Sequence, residues 1–286
     1  MKNKKTDRMK RLPCGSMMQY GPMNDRIYLI KVGKEATDQL PDALLEFAKQ
    51  EGLSKIFAKV PAQHAAGFED EGYLEEARVP RFFNGRQDAY FFGYFLDPTR
   101  AHEPAAARLD EIQELALNQK TLRTQTALDP RFHLRACRET DVQAMAHIYH
   151  TVFPSYPFPI HDPAYLLETM QSHVAYYGVE TEGQLVALAS AEQDIKAANA
   201  EMTDFATMPD WRGHRFAQHL LTRMEQDMAA KGIKTVYTIA RSYSPGMNVT
   251  FSRGGYCFGG RLKNNTNIAG CIESMNVWHK PLQQAG

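Results

Sequence analysis

Cysteine is scarce in these 286 residues, and the four present (Cys14, Cys137, Cys257 and Cys271) are scattered, with no C-x-x-C and no metal-type spacing. That excludes a disulfide framework and a thiolate metal site. Two of the four lie in apolar runs, where a thiol behaves as a small hydrophobe. Such usage is expected of a reducing cytoplasm. Net charge is missing as well: 33 basic side chains balance 33 acidic ones, with a pI near 7.2. Nothing electrostatic therefore favours nucleic acid or an anionic membrane surface as the main partner, and a small-molecule substrate is expected. No run of about 18 apolar residues occurs, so no bilayer-spanning helix is expected. Residues 12–26 (LPCGSMMQYGPMNDR) are too broken by Gly, Pro and charge to form a signal-peptide core. Gly-x-Ser-x-Gly elbows, Walker loops and Rossmann fingerprints are also lacking. His147 and His150 stand at i, i+3 without a third ligand, so no metal is expected.

What remains is an α/β pattern with an apolar fraction of 43%, enough for one large or two modest domains. The first eleven residues carry six basic side chains, and residues 1–24 read as a flexible basic arm. From 25 to 97 the pattern runs strand, helix, strand, short helix and a strand pair joined at Asn84-Gly85, a strong hairpin signal. Residues 98–130, bounded by prolines and rich in Ala and polar groups, read as a helical connector. A second α/β pattern fills 131–286.

The two halves repeat one another. A helix ending at Gly52 leads to strand 55–60, then Phe68-x-x-x-Gly72-Tyr73 and two strands. A helix ending at Gly232 leads to strand 235–240, then Phe251-x-x-x-Gly255-Tyr256 and two strands. The matched spacing favours duplication of half a domain. The aromatic run Tyr90, Phe91, Phe92, Tyr94, Phe95 reads as a strand packed on both faces, with an interface as the alternative that leaves a homodimer open.

The stretch from Ala206 to Ala217 (ATMPDWRGHRFA) joins a strand to a long amphipathic helix. A strand that stops before a Gly-containing turn leaves the first amides of the helix pointing outward, which is an anion site suited to phosphate. Here the chain resembles the GNAT N-acetyltransferases, whose acetyl-CoA loop reads Arg/Gln-x-x-Gly-x-Gly/Ala. The matching positions are Arg212, Gly213, His214, Arg215, Phe216 and Ala217, with Arg215 standing where the family normally has Gly. Its side chain either points outward or adds a charge-assisted contact to the phosphates. The element order from Phe132 to Lys280 matches the family throughout. The implied fold is a mixed, mainly antiparallel sheet flanked by helices, preceded by a GNAT-like half-domain that carries no such loop. The phrases AEMTDFATMPDWRG, LKNNTNIAGCIESMNVWHK and Phe153-Pro-Ser-Tyr-Pro-Phe-Pro-Ile-His-Asp-Pro look like the β-lysine N6-acetyltransferases. The resemblance covers nearly the whole chain beyond the basic arm. It implies transfer of acetyl from acetyl-CoA to the terminal amine of 3,6-diaminohexanoate, giving the compatible solute N6-acetyl-β-lysine, used in osmoadaptation.

An alkylammonium must lose a proton before it attacks a thioester, so the site needs a carboxylate or a carboxylate-held water. Asp204 is the first candidate, since it lies in an otherwise apolar strand end just before the loop. Glu201 and Glu192 follow. Glu201 and Asp204 have opposite parity on an extended strand, so both face one site only if a bulge intervenes. Phe205, Ala206 and Thr207 at the strand end, the loop from Arg212 to Ala217, and Asn248 are the candidate CoA contacts; Asn248 reads equally well as a helix cap. Phe251 occupies the position where family members often carry a Tyr acid, leaving Tyr243, a water or no acid at all. Acetylation of another small amine, or non-catalytic CoA binding, are the alternatives.

Overall fold

A computed structural model describes residues 7–121 and 127–283. The chain enters as strands β1 (Arg8–Arg11), β2 (Met17–Gly21) and β3 (Arg26–Lys31), then helix α1 (Leu40–Glu51), strand β4 (Lys55–Pro61), short helix α2 (Ala65–Asp70) and the hairpin β5 (Leu74–Phe83) and β6 (Gln87–Phe95). Helix α3 (Ala106–Leu117) leads to the second half: β7 (His133–Ala136), α4 (Val142–Val152), α5 (Pro163–Ser172), β8 (Val174–Thr181), β9 (Gln184–Asp194) and β10 (Asn199–Thr207). Then come α6 (Phe216–Ala230), β11 (Thr235–Arg241), α7 (Pro245–Arg253), β12 (Cys257–Ile268) and β13 (Cys271–Pro281).

All the described strands join one sheet, ordered β1-β2-β3-β4-β6-β5-β12-β13-β11-β10-β9-β8-β7. The order β2-β3-β4-β6-β5 is mirrored by β9-β10-β11-β13-β12, and the parallel pair β3–β4 corresponds to the parallel pair β10–β11. The repeated Phe and Tyr make the same contact twice, with ring centroids 5.0 Å apart for Phe68 and Tyr73 and 5.2 Å for Phe251 and Tyr256, both edge to face. In each copy the Gly adopts φ near +80° so that the Tyr amide returns to the Phe carbonyl. Phe251 is therefore a core residue of the repeat, buried against Phe205 and Tyr256.

The halves meet edge to edge at β5 and β12 through a single paired position, Gly260 opposite Ala77. Buried charge reinforces this short seam. The Lys55 ammonium donates to Glu76 at 2.7 Å and to the Lys263 carbonyl at 2.6 Å, while Glu76 accepts the Lys263 amide at 2.7 Å. Arg26 donates to the Asn265 carbonyl and Arg100 to the Asn264 carbonyl. Gly260 sits at φ +143°, and a Cβ there would lie 2.2 Å from the Glu76 carbonyl oxygen. Gly260→Ala is expected to push the strands apart at a cost of about 1–3 kcal/mol, measured as a lower urea midpoint with an unchanged slope.

Beyond the seam the sheet curls so that the halves also pack face to face. Phe57, Val79, Phe82 and Phe91 share a core with Tyr237, Leu262, Met275 and Val277, and the Asn84 amide donates to the Ala197 carbonyl at 2.6 Å. Strand β6 lies between β4 and β5, with Phe91 in this core and Phe92 in the core under α1. Phe91 and Phe92 of the aromatic run are thus internal, packed on opposite faces, while Tyr90, Tyr94 and Phe95 are half-buried.

The basic arm expected over 1–24 is corrected from residue 7 onward. β1 and β2 extend the sheet, Met18 is fully buried, Tyr20 packs edge-on against Phe47, and Asp7 accepts the Met23 amide at 2.9 Å. Arg8, Lys10 and Arg11 lie on an exposed edge strand, where charge deters pairing with another chain. The same charges gave the segment its arm-like composition. Residues 1–6 lie outside the described residues, as do 122–126 of the connector. Helix α3 of that connector packs on α7, with the Ser252 hydroxyl donating to the Ala116 carbonyl at 2.6 Å.

Candidate active site

β10 and β11 pair only from Asn199 to Glu201, opposite Thr235 to Tyr237. Past Glu201 no pairing between the two strands is present among the described residues. On the other side of β10 the register with β9 shifts between Thr203 and Ala206. Asp204 lies in that bulge at φ +55°, a left-handed conformation uncommon for a residue other than Gly. The bulge resolves the parity conflict. Leu188 and Ala206 pack under α4 and α5, whereas Ala189, Ala191, Ala200 and Met202 pack under α6. Ser190 and Glu192 share the Leu188 face by alternation, Glu201 stands opposite Glu192, and Asp204 reaches the Ser190 hydroxyl at 2.6 Å. Three carboxylates consequently gather on one face, where the strands separate.

Asp204 is nearly buried at 9% exposure. It accepts hydrogen bonds from Ser190, from Tyr156 and, at 3.3 Å, from Thr203. Burial raises its pKa, and the three hydroxyl donors work against that rise. Burial also raises Glu201, opposed by the Lys59 charge, the Tyr237 hydroxyl and the Ile239 amide. Burial, followed by the charges of Glu201 and Asp204, pushes Glu192 up to about 8. Three acids gathered on one face raise one another's pKa, the nearby Lys59 offsets this only in part, and a further cation is favoured there.

Some of the lining was not among the sequence candidates. Tyr156 comes from the Pro-rich turn between α4 and α5, and Tyr165 from α5; burial raises both above the ordinary phenol range. Lys59 and Tyr28 come from β4 and β3 of the first half. The Lys59 ammonium lies 3.2 Å from the Tyr237 hydroxyl, and Tyr28 stacks on Phe57 at 4.6 Å. A half-domain without a loop gave no residue-type signal for this role.

The loop joins the end of β10 to the start of α6. After β10 the chain makes a short turn at Pro209–Trp211, and Arg212, Gly213, His214 and Arg215 are exposed ahead of buried Phe216 and half-buried Ala217. Arg215 takes φ +59°, the conformation for which the family's Gly is suited. The first amides of α6 have no partner within the helix. Beside them lies a cavity of about 220 Å³ lined by Asp129, Phe132, Gly213, His214, Arg215 and His219. Phe205, Ala206 and Thr207 run along the separated edge of β10, with Ala206 buried and the other two half-exposed. These groups fit a CoA pyrophosphate and its arm.

Asn248 does not belong to the site. It is fully buried, donates to the Arg241 and Ser244 carbonyls at 3.0 and 2.8 Å, and accepts from Asn276 and Trp278 at 2.8 and 2.9 Å. That uses both its donors and both its lone pairs, leaving nothing for CoA. Nor is it the helix cap, which is the Ser244 hydroxyl. Tyr243 is 41% exposed.

The Acetyltransferase (GNAT) family profile matches residues 142–247, from the start of α4 to the first turn of α7. A beta-lysine N(6)-acetyltransferase of Methanococcus maripaludis is 39% identical over 269 residues, covering 93% of this chain and 96% of the relative. One from Methanosarcina mazei is 32% identical over 265 residues, covering 86% and 97%. The N-acetyltransferase YodP of Bacillus subtilis is 31% identical over 272 residues, covering 93% and 96%. With likeness running through both halves, and with the separated strands and exposed loop in place, the chain belongs to the GNAT acetyltransferase family and is an N-acetyltransferase.

Proposed function

We propose that the chain transfers acetyl from acetyl-CoA to the N6 amine of β-lysine. The observation that carries this reading is the triad of carboxylates, Glu192, Glu201 and Asp204, beside the parted strands, because a substrate with two ammonium groups needs more than one acid. Arg212 to Ala217 hold the pyrophosphate, and Phe205 to Thr207 run beside the arm. Bound acetyl-CoA supplies the thioester carbon that the amine attacks and the thiolate that leaves. Asp204, at the bulge where the strands open, takes the proton from N6, and Glu201 with Glu192 pairs with the 3-ammonium. Residues 25–97, treated as a half-domain against the catalytic unit 131–286, form the opposite wall of this pocket. Acetylation removes one positive charge from β-lysine and leaves a neutral zwitterion, which suits a compatible solute accumulated in the cytoplasm for osmoadaptation. Thiol release from acetyl-CoA with β-lysine, α-lysine, ornithine and polyamines tests the reading. Preference for β-lysine with mass-spectrometric placement of acetyl on N6 supports it, and release with none of them overturns it.

The protonation of Glu192 gives a further expected result. An ammonium pairs only with the ionised acid, so below about pH 8 binding must first displace a proton. The KM for β-lysine is expected to fall as pH rises toward 8, and Glu192→Gln is expected to flatten that limb. Stability runs the other way. The folded chain holds this proton between the ordinary value of 4.5 and about 8 while the unfolded chain has lost it, so stability declines as pH rises through that window. Glu192→Gln should therefore raise Tm by a few degrees at pH 8 and leave it unchanged near pH 4, as read by thermal melts at both values.

A further inference from the structure

Lys59 differs from the other buried or half-buried lysines. Lys55 is matched by Glu76 at 2.7 Å and Lys280 by Glu225 at 2.6 Å. Among the described residues no carboxylate lies within 4 Å of the Lys59 ammonium. It is held instead by the Tyr237 hydroxyl at 3.2 Å and by the rings of Phe82 and Tyr237, each with its centroid 5.5 Å away. These contacts fix its position without neutralising it, and burial opposes its charge while Glu201, Glu192 and Asp194 act on it through space. It faces Glu201 and Glu192 from the other half of the chain, so an acidic wall on β9 and β10 stands against a cation on β4, while Lys31 of β3 is taken up by Asp194 at 3.5 Å.

Building on the β-lysine reading, we propose that Lys59 pairs with the carboxylate of the acceptor and so selects amino acids over plain diamines. The chemistry of the guest matches this layout. A 3-amino acid carries its ammonium and carboxylate on adjoining carbons, so the two charges need an acid and a base close together, and Glu201 and Lys59 both meet the Tyr237 hydroxyl. The amine to be acetylated lies at the far end of the same molecule, toward Asp204. Selection is then a property of the first half, although that half carries no CoA loop. A site built to pair a charged group rejects the analogue that lacks it, because its own buried charge is left uncompensated.

The test compares kcat/KM for β-lysine with that for 1,4-diaminopentane, which is β-lysine without its carboxylate, in the wild type, Lys59→Met and Lys59→Arg. The ratio, favouring β-lysine in the wild type, is expected to fall about tenfold or more in Lys59→Met, through KM rather than kcat, and to be largely restored in Lys59→Arg. Lys59→Gln, which keeps polarity without charge, replaces Lys59→Met if circular dichroism shows that variant unfolded, with the same fall expected. An unchanged ratio in a folded, uncharged variant overturns the assignment while leaving the β-lysine reading intact. A wild type that acetylates other amines but not β-lysine overturns both.

Discussion

Asp204→Asn is expected to lower turnover by roughly a hundredfold to ten-thousandfold, the range associated with losing a positioned general base. Three hydroxyls converge on this side chain, and an amide can accept through only one of its two ends. The variant therefore loses the proton acceptor and also faces hydroxyls with an N–H₂ group that must itself donate. The proposed pyrophosphate loop, Arg212 to Ala217, lies outside this network, so acetyl-CoA affinity is expected to stay within about twofold of wild type. Calorimetric CoA binding alongside steady-state thiol release separates the two effects. A turnover close to wild type would remove Asp204 from the proton path and shift the role to Glu201. Tyr156→Phe should give a smaller loss, because it removes one of the hydroxyls that fix the carboxylate and not the carboxylate itself.

Glu76→Ala is expected to destabilise the protein by about 3–5 kcal/mol, the cost of leaving a buried charge without its partner. Lys55 has no exposed side-chain surface and Glu76 only 4%. Burial already lowers Lys55 to about 8, and Glu76 is the main opposing influence. With Glu76 gone, the ammonium loses its counter-charge and the Lys263 amide loses its acceptor. Because the folded pKa of Lys55 lies below its ordinary value of 10.5, the folded chain binds fewer protons than the unfolded one between the two values, and stability rises with pH there. In the variant that window extends downward, so the deficit should shrink as pH is raised from 7 to 9. Urea unfolding at several pH values measures this, and a loss below about 1 kcal/mol would show that the seam does not depend on the pair. The double variant Lys55→Met with Glu76→Met is expected to recover the part of the loss that comes from unpaired charge, while the Lys263 amide and carbonyl remain without these partners.

Much of this molecule is legible from residue order. The loop from Arg212 to Ala217, the alternation that gives the mixed sheet, and the matched Phe and Gly-Tyr positions of the two halves are all local signals, and local geometry answers to them. The acid triad was half legible. Residue type nominated Glu192, Glu201 and Asp204, but parity set Glu201 against Asp204, and the bulge that reconciles them is a backbone event with no residue signature of its own. Lys59 was not legible, because it reaches Tyr237 across 178 positions through a closure that depends on the curl of the whole sheet. Asn248 misled for the opposite reason: its type and helical position suit a ligand contact, and only the surrounding Trp278 and Asn276 reveal that its bonds are already taken. The hairpin before β3 was obscured by its charges, which suit an edge strand as well as a tail.

The mirrored sheet also has a consequence for how the chain is made. Synthesis finishes the first half at β6, ending at Phe95, yet the strand that borders it, β12, begins only at Cys257. About 160 residues must leave the ribosome in between, a wait on the order of ten seconds or more at ordinary translation speeds. Through that interval the outer edge of β5 has no neighbour, Lys55 and Arg26 lack their carbonyls, and the face carrying Val79 and Phe91 is uncovered. The nascent first half thus has a strand edge and an apolar face that a chaperone would cover, and any truncation before β12 leaves it permanently in that state.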